Sequence, residues 1–412
     1  MSKKLLIGIC FLVLLVLGYL VYTNYSEISI SEYQDITAEL PVHFSGKKFA
    51  GSASCIPCHE AIYNTHISTA HYNTSAPGAP NNILGSFSNG ENTVHLAGSL
   101  VSMTQDDEGN SYQTSQTYHG KVFEKSKIDI AVGSGVKGQS YLTFEGDSLY
   151  QLQASYFTGT DSWINSPGYP NYSFKRPVMD NCIKCHVTFA KNEAFSGNSN
   201  IYDKDSFIYG VDCERCHGPS KNHVEFRIGN LKQLDFDPIV QAESLNRQQQ
   251  MDACAQCHAG LRNNQISENP FSFLIGDNLE DFSKNYNSSK PNTELDVHGN
   301  QYGLLISSPC YKESTEMNCV TCHDPHKNQR NNSQHFNSKC LSCHNQPESL
   351  HTSISGYDSK DYQDCITCHM PESPSRVMKV RSTKDGLEKS VNVRTHLIGV
   401  YVDSLLQKQT QP

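Results

Sequence analysis

The stretch Cys182-Ile-Lys-Cys185-His186 opens a run of closely spaced motifs of the form Cys-x-x-Cys-His. Six such motifs follow one another between Cys182 and His369, and a seventh, Cys55-Ile-Pro-Cys58-His59, lies far upstream. Each motif is typical of covalent attachment of haem c, in which both thiols bond to the porphyrin and the adjacent histidine binds the iron. The sequence therefore predicts seven covalently attached haem c groups.

The motifs supply the predicted thioether bonds and one predicted iron ligand for each haem. The attachment residues are Cys55, Cys58, Cys182, Cys185, Cys213, Cys216, Cys254, Cys257, Cys319, Cys322, Cys340, Cys343, Cys365 and Cys368. The motif ligands to iron are His59, His186, His217, His258, His323, His344 and His369. No residue is predicted to act as a catalytic acid, base or nucleophile.

Zinc and disulfide bonds are the alternatives to haem. Paired cysteines and Cys/His mixtures form zinc ribbons and fingers. Zinc does not require histidine directly after every second cysteine, yet histidine, which is only 18 of 412 residues, fills that position in every motif. A disulfide framework is disfavoured because a two-residue spacing suits redox or metal chemistry better. Haem attachment is therefore the favoured interpretation.

The composition fits a chain that wraps cofactors. Hydrophobic residues make up only 37% of the sequence, and Trp163 is its single tryptophan. Haem macrocycles would supply apolar surface that the side chains lack. The length is sufficient for two or three domains. A formal charge of −9 and the absence of a basic run argue against a nucleic-acid partner.

The N-terminus carries a candidate membrane segment. Lys3 and Lys4 precede an apolar run from Leu5 to Tyr22, which is just long enough to cross a bilayer and is not followed by an Ala-x-Ala-like cleavage site. The sequence therefore predicts an uncleaved transmembrane helix with its N-terminus in the cytoplasm. The rest of the chain is expected on the periplasmic side of the cytoplasmic membrane. A cleaved signal peptide is the alternative.

The fold is predicted to be mainly α-helical, with much irregular structure nucleated by haem and a small antiparallel β insert. Tyr141–Phe144 and Leu149–Leu152 flank the turn Glu145–Ser148, which indicates a hairpin. Glu243–His258 has the clearest helical pattern, and the chain after Cys182 is expected to be helices. The predicted divisions are an anchor at 1–23, a linker at 24–48, a first haem segment at 49–76, a β-rich insert at 77–180, a hexahaem module at 181–400 and a tail at 401–412.

Histidines outside the motifs are candidates for the second axial ligand of each iron. His326 follows His323 by three residues, and His223 follows His217 by six. Neither can reach round its own porphyrin, but each can bind the iron of a neighbouring haem. His71 and His396 are the next candidates, while the roles of His66, His298, His335 and His351 stay open. Ligation by two histidines saturates the iron and suits it to electron transfer.

Three segments resemble a known family. They are Cys216-His-Gly-Pro-Ser-Lys-Asn-His223, Met317-Asn-Cys-Val-Thr-Cys-His-Asp-Pro-His326 and Asp364-Cys-Ile-Thr-Cys-His-Met-Pro371. This order is similar to that of the multihaem cytochromes grouped with the tetrahaem carrier cytochrome of ammonia oxidisers, with pentahaem nitrite reductase and with octahaem hydroxylamine oxidoreductase. The resemblance covers about residues 50–400 and implies a mostly helical, haem-nucleated fold. It also supports His223, His326 and His396 as distal ligands, and His71 more weakly.

Departures from this family bear on the predicted activity. The nitrite reductases bind the active-site iron through lysine in a Cys-x-x-Cys-Lys motif, which is missing here. The favoured function is a membrane-anchored electron carrier between a membrane quinol-linked donor and a periplasmic acceptor. The alternative is an oxidoreductase acting on hydroxylamine or on small nitrogen or sulfur oxyanions at one open-faced haem. A homo-oligomer is left open.

Overall fold

The computed structural model describes residues 40–193, 199–231, 234–262, 264–267, 269–285, 295–346, 364–381 and 388–401. Helices account for about 26% and strands for about 28% of this structure. The prediction of a mainly α-helical fold is therefore wrong, because several antiparallel sheets carry as much of the chain as the helices do.

The helices are short and most of them lie at or beside haem motifs. They are α1 (Ile56–His66), α2 (Asp180–Ile183), α3 (Cys213–His217), α4 (Lys221–Arg227), α5 (Arg247–His258), α6 (Gln301–Ser307), α7 (Pro309–Glu313), α8 (Ser333–Leu341) and α9 (Cys365–His369). Single 3-10 turns lie at Ser52–Cys55, Tyr72–Thr74, Pro80–Asn82, Ala242–Ser244, Leu279–Asp281 and Cys319–Thr321.

The strands fall into two large sheets and three separate pairs. They are β1 (Ser75–Pro77), β2 (Thr93–Leu96), β3 (Ser99–Gln105), β4 (Ser111–Thr117), β5 (Val122–Lys127), β6 (Ile130–Val132), β7 (Gly138–Glu145), β8 (Ser148–Gln151), β9 (Ala154–Phe157), β10 (Ser162–Asn165), β11 (Arg176–Pro177), β12 (Val187–Asn192), β13 (Tyr202–Tyr209), β14 (Asn264–Gln265), β15 (Ser283–Lys284), β16 (Glu372–Arg381) and β17 (Glu388–Arg394). All strand pairs are antiparallel.

Residues 75–177, named here the β region, hold both large sheets. One sheet has the order β1-β6-β7-β8-β11, with β9 paired to β7 and β10 to β9, and the other has the order β2-β3-β4-β5. Strands β3 and β4 alternate buried and exposed positions, as expected of strands with one face on a core. Trp163, Tyr141 and Met103 are fully buried within that core.

The predicted hairpin is confirmed. Strands β7 and β8 pair with Glu145 opposite Ser148, and Gly146 takes a positive φ of 57° in the tight turn between them. Such a φ favours glycine because other residues are strained there.

The chain after Cys182 is not helical throughout, which corrects the prediction. The pairs β12–β13, β14–β15 and β16–β17 lie within it. Five of the six residues of β12 are buried, so this strand lacks the alternation by which a half-buried strand is found in a sequence. The predicted helix at Glu243–His258 is confirmed as α5, which begins later, where Asn246 and Gln249 form a capping box.

The chain divides into two compact units. The first comprises residues 1–64 and 219–239, and the second comprises residues 65–218 and 240–412. The β region and six of the seven haem motifs belong to the second unit. The domain boundaries drawn from the sequence stay predictions.

The expectation of an N-terminal transmembrane helix, and of an anchored location on the cytoplasmic membrane, needs correction. No helix in the described part of the chain is both long and apolar enough to span a bilayer. The predicted segment, residues 1–23, lies outside the described residues.

Candidate haem sites

Short helical turns present the motif side chains together. In α3, the Asp212 side chain accepts a hydrogen bond from the Cys213 N–H and starts a helix that ends at His217. Cys254, Cys257 and His258 form the last turn of α5. Residues three and four positions apart lie on one face of a helix, so both thiols and the histidine of a motif face the same side. The local fold thus arranges each such motif for two thioether bonds and one iron bond.

The structure brings three motif histidines beside three of the predicted distal histidines, all within the second unit. The ring centroids of His217 and His326 are 6.1 Å apart, with planes 15° from parallel. Those of His71 and His258 are 6.2 Å apart, and those of His323 and His396 are 6.1 Å apart.

These separations fit one metal ion between each pair of rings. Two metal–nitrogen bonds of about 2.0–2.1 Å and roughly 1.1 Å from each nitrogen to its ring centre require about 6.3 Å between imidazole centres. The centroid separations of the three histidine pairs agree with this requirement. His217, His326 and His396 are each half-buried.

Burial favours the neutral imidazole, which is the form that binds a metal. It lowers the pKa of His71 to about 4, with a smaller contribution from the neighbouring His258. It likewise lowers the pKa of His396 to about 4. The pKa of His326 is lowered by burial although the nearby Asp324 opposes the shift.

His186 has a different neighbour. Burial lowers its pKa to about 4, and the second cause is the proximity of His298. His298 was one of the histidines whose role stayed open in the sequence. Its position makes it the candidate for the distal side of the haem attached at Cys182 and Cys185.

Hydrogen bonds at Nδ1 orient two more histidines. In the first unit, Asp237 accepts a hydrogen bond of 2.6 Å from His223 Nδ1 and is held in turn by Arg227. In the second unit, His369 Nδ1 donates to the Gly399 carbonyl at 2.8 Å. Such bonds fix the ring and leave Nε2 directed away for a metal.

Cysteines of different motifs contact one another in the second unit. Cys185 lies beside Cys257, Cys254 beside Cys319 and Cys340 beside Cys365. Burial, and then the proximity of Cys257, raise the pKa of Cys216 to about 11. Cys343 is among the neighbours that raise the pKa of Cys322, after burial. The six motifs therefore form one connected cluster, in which the motif at Cys254–His258 adjoins three others.

Two motifs of this cluster have residues at the surface. The Cys182 side chain is exposed, as are Cys343 and His344, while Cys185, Cys216 and Cys257 are half-buried. The remaining described cysteine, Cys310, is half-buried, and its sulfur lies 3.3 Å from Ser308 Oγ.

The burial of two histidines was not predicted from the sequence. His43 lies in the segment predicted to be a linker, but it is only 4% exposed, accepts a hydrogen bond from the Ser45 N–H and lies edge-on to Phe49. The apolar residues that follow it were the available signal. His66 is also buried and donates through Nε2 to the Val211 carbonyl at 3.2 Å.

Zinc finds no support in the arrangement of the side chains. Within the described ranges, no group of three or more His, Cys, Asp or Glu residues is placed to hold a metal ion. A structural zinc site needs four such ligands in a tetrahedron.

Comparisons with known proteins agree with the haem assignment. The family model described as cytochrome c554 and c-prime matches residues 170–218. The multihaem cytochrome MtrA of Shewanella baltica (strain OS185) is 28% identical over 188 residues, which cover 42% of this chain and 54% of that protein. The chain thus spans about half the length of this curated relative. The outer cell wall cytochrome OcwA has a similar fold, with a TM-score of 0.54 and 15% identity over 85% of this chain and 79% of that one.

Together with the motifs, these comparisons support the interpretation of the chain as a multihaem cytochrome of the c type. They imply covalently bound haem c with its iron as the cofactor. The similarities of the chain are to MtrA in sequence and to OcwA in fold.

Proposed function

We propose that this chain is a heptahaem electron carrier in which the six haems of the second unit form one continuous conduction path. The observation that carries the proposal is the proximity of cysteines that belong to different motifs. Because each haem is bonded to its cysteines, porphyrin edges anchored at touching thiols lie close together. Short edge-to-edge separations are what rapid electron transfer needs.

The histidine pairs are the second support. His326 beside His217, His71 beside His258 and His396 beside His323 are separated by the distance that two ligands of one metal ion require. A pair of histidines fills both axial positions and leaves no iron site for a substrate. These haems are therefore suited to carrying electrons rather than to binding a substrate.

The bound haems would supply the one-electron redox chemistry of iron. The chain's own residues fix the porphyrins through the motif cysteines, fill the axial positions and limit the access of water. His223 is proposed as a further distal ligand because Asp237 fixes its Nδ1 and leaves Nε2 for iron. The opposite ligand of the iron that His223 would bind is one of the seven motif histidines.

Two exposed positions in this cluster of motifs are the proposed contact points for partner proteins. The Cys182 thiol and the segment Cys343–His344 are exposed. Electrons would enter from a quinol-linked donor protein at one position and leave to an acceptor protein at the other. The family grouping with the tetrahaem carrier cytochrome of ammonia oxidisers supports this role.

Low-temperature EPR of the oxidised protein, with haem quantified in parallel, tests the proposal. We expect seven haems per chain, all low-spin, and a spectrum that nitrite, hydroxylamine and sulfite leave unchanged. A high-spin haem whose spectrum shifts with one of these compounds would instead indicate an oxidoreductase and would name its substrate class.

A further inference from the structure

Three cationic side chains are gathered where the first three haem motifs of the second unit meet. Lys184 and Arg262 are each only 3% exposed, and Arg215 is half-buried with its Nε enclosed and without a hydrogen-bond partner. Arg215 Nη2 donates to the Lys184 carbonyl at 3.0 Å, and its guanidinium lies over the Phe271 ring. All three cations are close enough to influence one another electrostatically.

Thiols of three motifs surround these cations. Lys184 and Arg215 each act electrostatically to lower the pKa values of Cys185 and Cys257. Arg215 also acts on Cys216, its neighbour in the chain. The cations therefore lie at the junction of the porphyrin edges that these cysteines anchor.

Protein carboxylates compensate little of this positive charge. Arg262 pairs with Glu280 at 2.8 Å, but the Glu280 side chain is 56% exposed. Among the described residues, the Lys184 ammonium has no hydrogen bond and no ion pair. The buried Asp180 carboxylate, on which Lys184 acts electrostatically, can offset only one of the three positive charges. A buried cation without a counter-charge is unfavourable, so an anionic group is expected beside it.

We propose that Lys184, Arg215 and Arg262 form a counter-charge site for the haems attached through Cys182–Cys185, Cys213–Cys216 and Cys254–Cys257, and that they raise the reduction potentials of these haems. The inference rests on the proposed function, because it requires haem at these motifs. Each reduction adds one electron to an iron, converts Fe³⁺ to Fe²⁺ and lowers the charge of the site by one. A nearby buried cation stabilises the less positive state and so favours reduction.

The consequence is a direction for electron flow. Haems with raised potentials accept electrons from haems with lower ones. Electrons that enter at the exposed segment Cys343–His344 would accumulate at the three haems around Lys184. They would leave from the exposed edge at Cys182, which is therefore the docking point of the acceptor protein.

The variant Lys184→Met in the full chain tests the proposal by a spectroelectrochemical redox titration. At least one haem is expected to show a tenfold shift of its reduction equilibrium toward the oxidised form, which is about 59 mV for one electron. Lys184→Arg keeps the charge and is expected to titrate like the unmodified protein. Lys327→Met is the matched control, because Lys327 also follows a haem motif but is 60% exposed and paired with Asp324, where water screens its charge.

Each possible result with the Lys184 variants either supports or overturns the proposal. Unchanged potentials in a Lys184→Met protein that holds seven haems would overturn the proposal. Loss of a haem from Lys184→Met that Lys184→Arg restores would support the counter-charge role, whereas loss from both variants would show that size rather than charge matters and would overturn it. EPR of the same samples reports separately on the carrier function, since an open, substrate-binding haem would appear there whatever the potentials.

Discussion

The β region and the chain after Asp180, named here the haem region, are stabilised in different ways. The β region has its own closed core, in which Trp163, Tyr141 and Met103 are fully buried. The haem region has only small clusters, such as the one around Phe273 and Leu279, and it buries charged groups such as Lys184. The first region is complete without a cofactor, and the second is built around one. We therefore expect covalent haem to act as the core of the haem region.

Removal of haem should have the largest effect, because the two regions should then differ in whether they fold. We expect protein produced without haem attachment to leave the haem region unfolded, while the β region keeps its sheets. Limited proteolysis with mass spectrometry should then recover a resistant fragment of about residues 75–177. Haem-loaded protein digested in parallel is the control. Equal resistance of both regions in the haem-free protein would contradict the expectation.

Substitution of the β-region core should have the converse effect. Trp163 is 2% exposed, and its indole N–H donates to the Ser86 carbonyl at 2.7 Å. Trp163→Ala should lower the free energy of unfolding of the β region by about 3–5 kcal/mol. Haem content and the low-spin spectrum should not change. Val122→Ala, at an exposed position of the same region, should cost less than about 0.5 kcal/mol in urea titrations.

Asp180 lies at the boundary between the two regions and provides a pH test. It is fully buried, and burial raises its pKa from 3.8 to about 6, so the folded protein disfavours its ionised form. The stability that the neutral carboxyl contributes is present below about pH 4 and is lost as the pH rises through about 6. The loss is on the order of 2–3 kcal/mol.

Asp180→Asn should remove this dependence, because the amide stays neutral and can keep a hydrogen bond within the same enclosure. Thermal unfolding between pH 4 and pH 7 would measure it. The unmodified protein should lose stability relative to the variant as the pH rises. Parallel curves for the two proteins would show that Asp180 does not ionise in this range.

The two regions also differ in how far their structure follows from sequence. The hairpin of β7 and β8 and the helix α5 were found because turn and capping residues act locally. The strand β12 was missed because nearly all its residues are buried, so it shows no alternation. The structural partner of His258 could not be read from the sequence either. His71 lies far from it in the chain, and only the tertiary fold brings their rings to 6.2 Å.

The burial of charged side chains could not be predicted from the sequence either. Lys184 and Arg215 stand inside haem motifs, where the sequence gives no measure of their exposure. The structure shows Lys184 enclosed and Lys327 in solvent, although both lie beside a motif. Burial depends on which distant segments cover a residue, and this is a property of packing rather than of local pattern.

Asp237 provides a test of a distal histidine in the first unit. Its bond to His223 Nδ1 should raise the basicity of that ring as an iron ligand. Asp237→Asn should weaken axial ligation about 10-fold to 100-fold, measured as the ease with which added cyanide displaces the histidine. Asp235→Asn, two residues away, is the matched control. Equal cyanide affinity in both variants would remove His223 from the proposed ligands.

The substitution His326→Ala is expected to change the protein least, because it should alter one haem in seven. The His326 ring lies 6.1 Å from that of His217 and nearly parallel to it, so its removal should open one axial position and turn one haem in seven high-spin. Covalent haem content should not change, because the cysteines hold the porphyrin. His95→Ala is the matched control in the same EPR experiment, because the His95 ring stacks on Tyr118 in the β region.

His66 lies 6.3 Å from His326 and could replace it as a ligand only by giving up its hydrogen bond to Val211. A low-spin spectrum that also survives in the double variant His326→Ala/His66→Ala would therefore exclude both histidines as ligands and leave the motif at Cys213–His217 with a distal ligand from elsewhere.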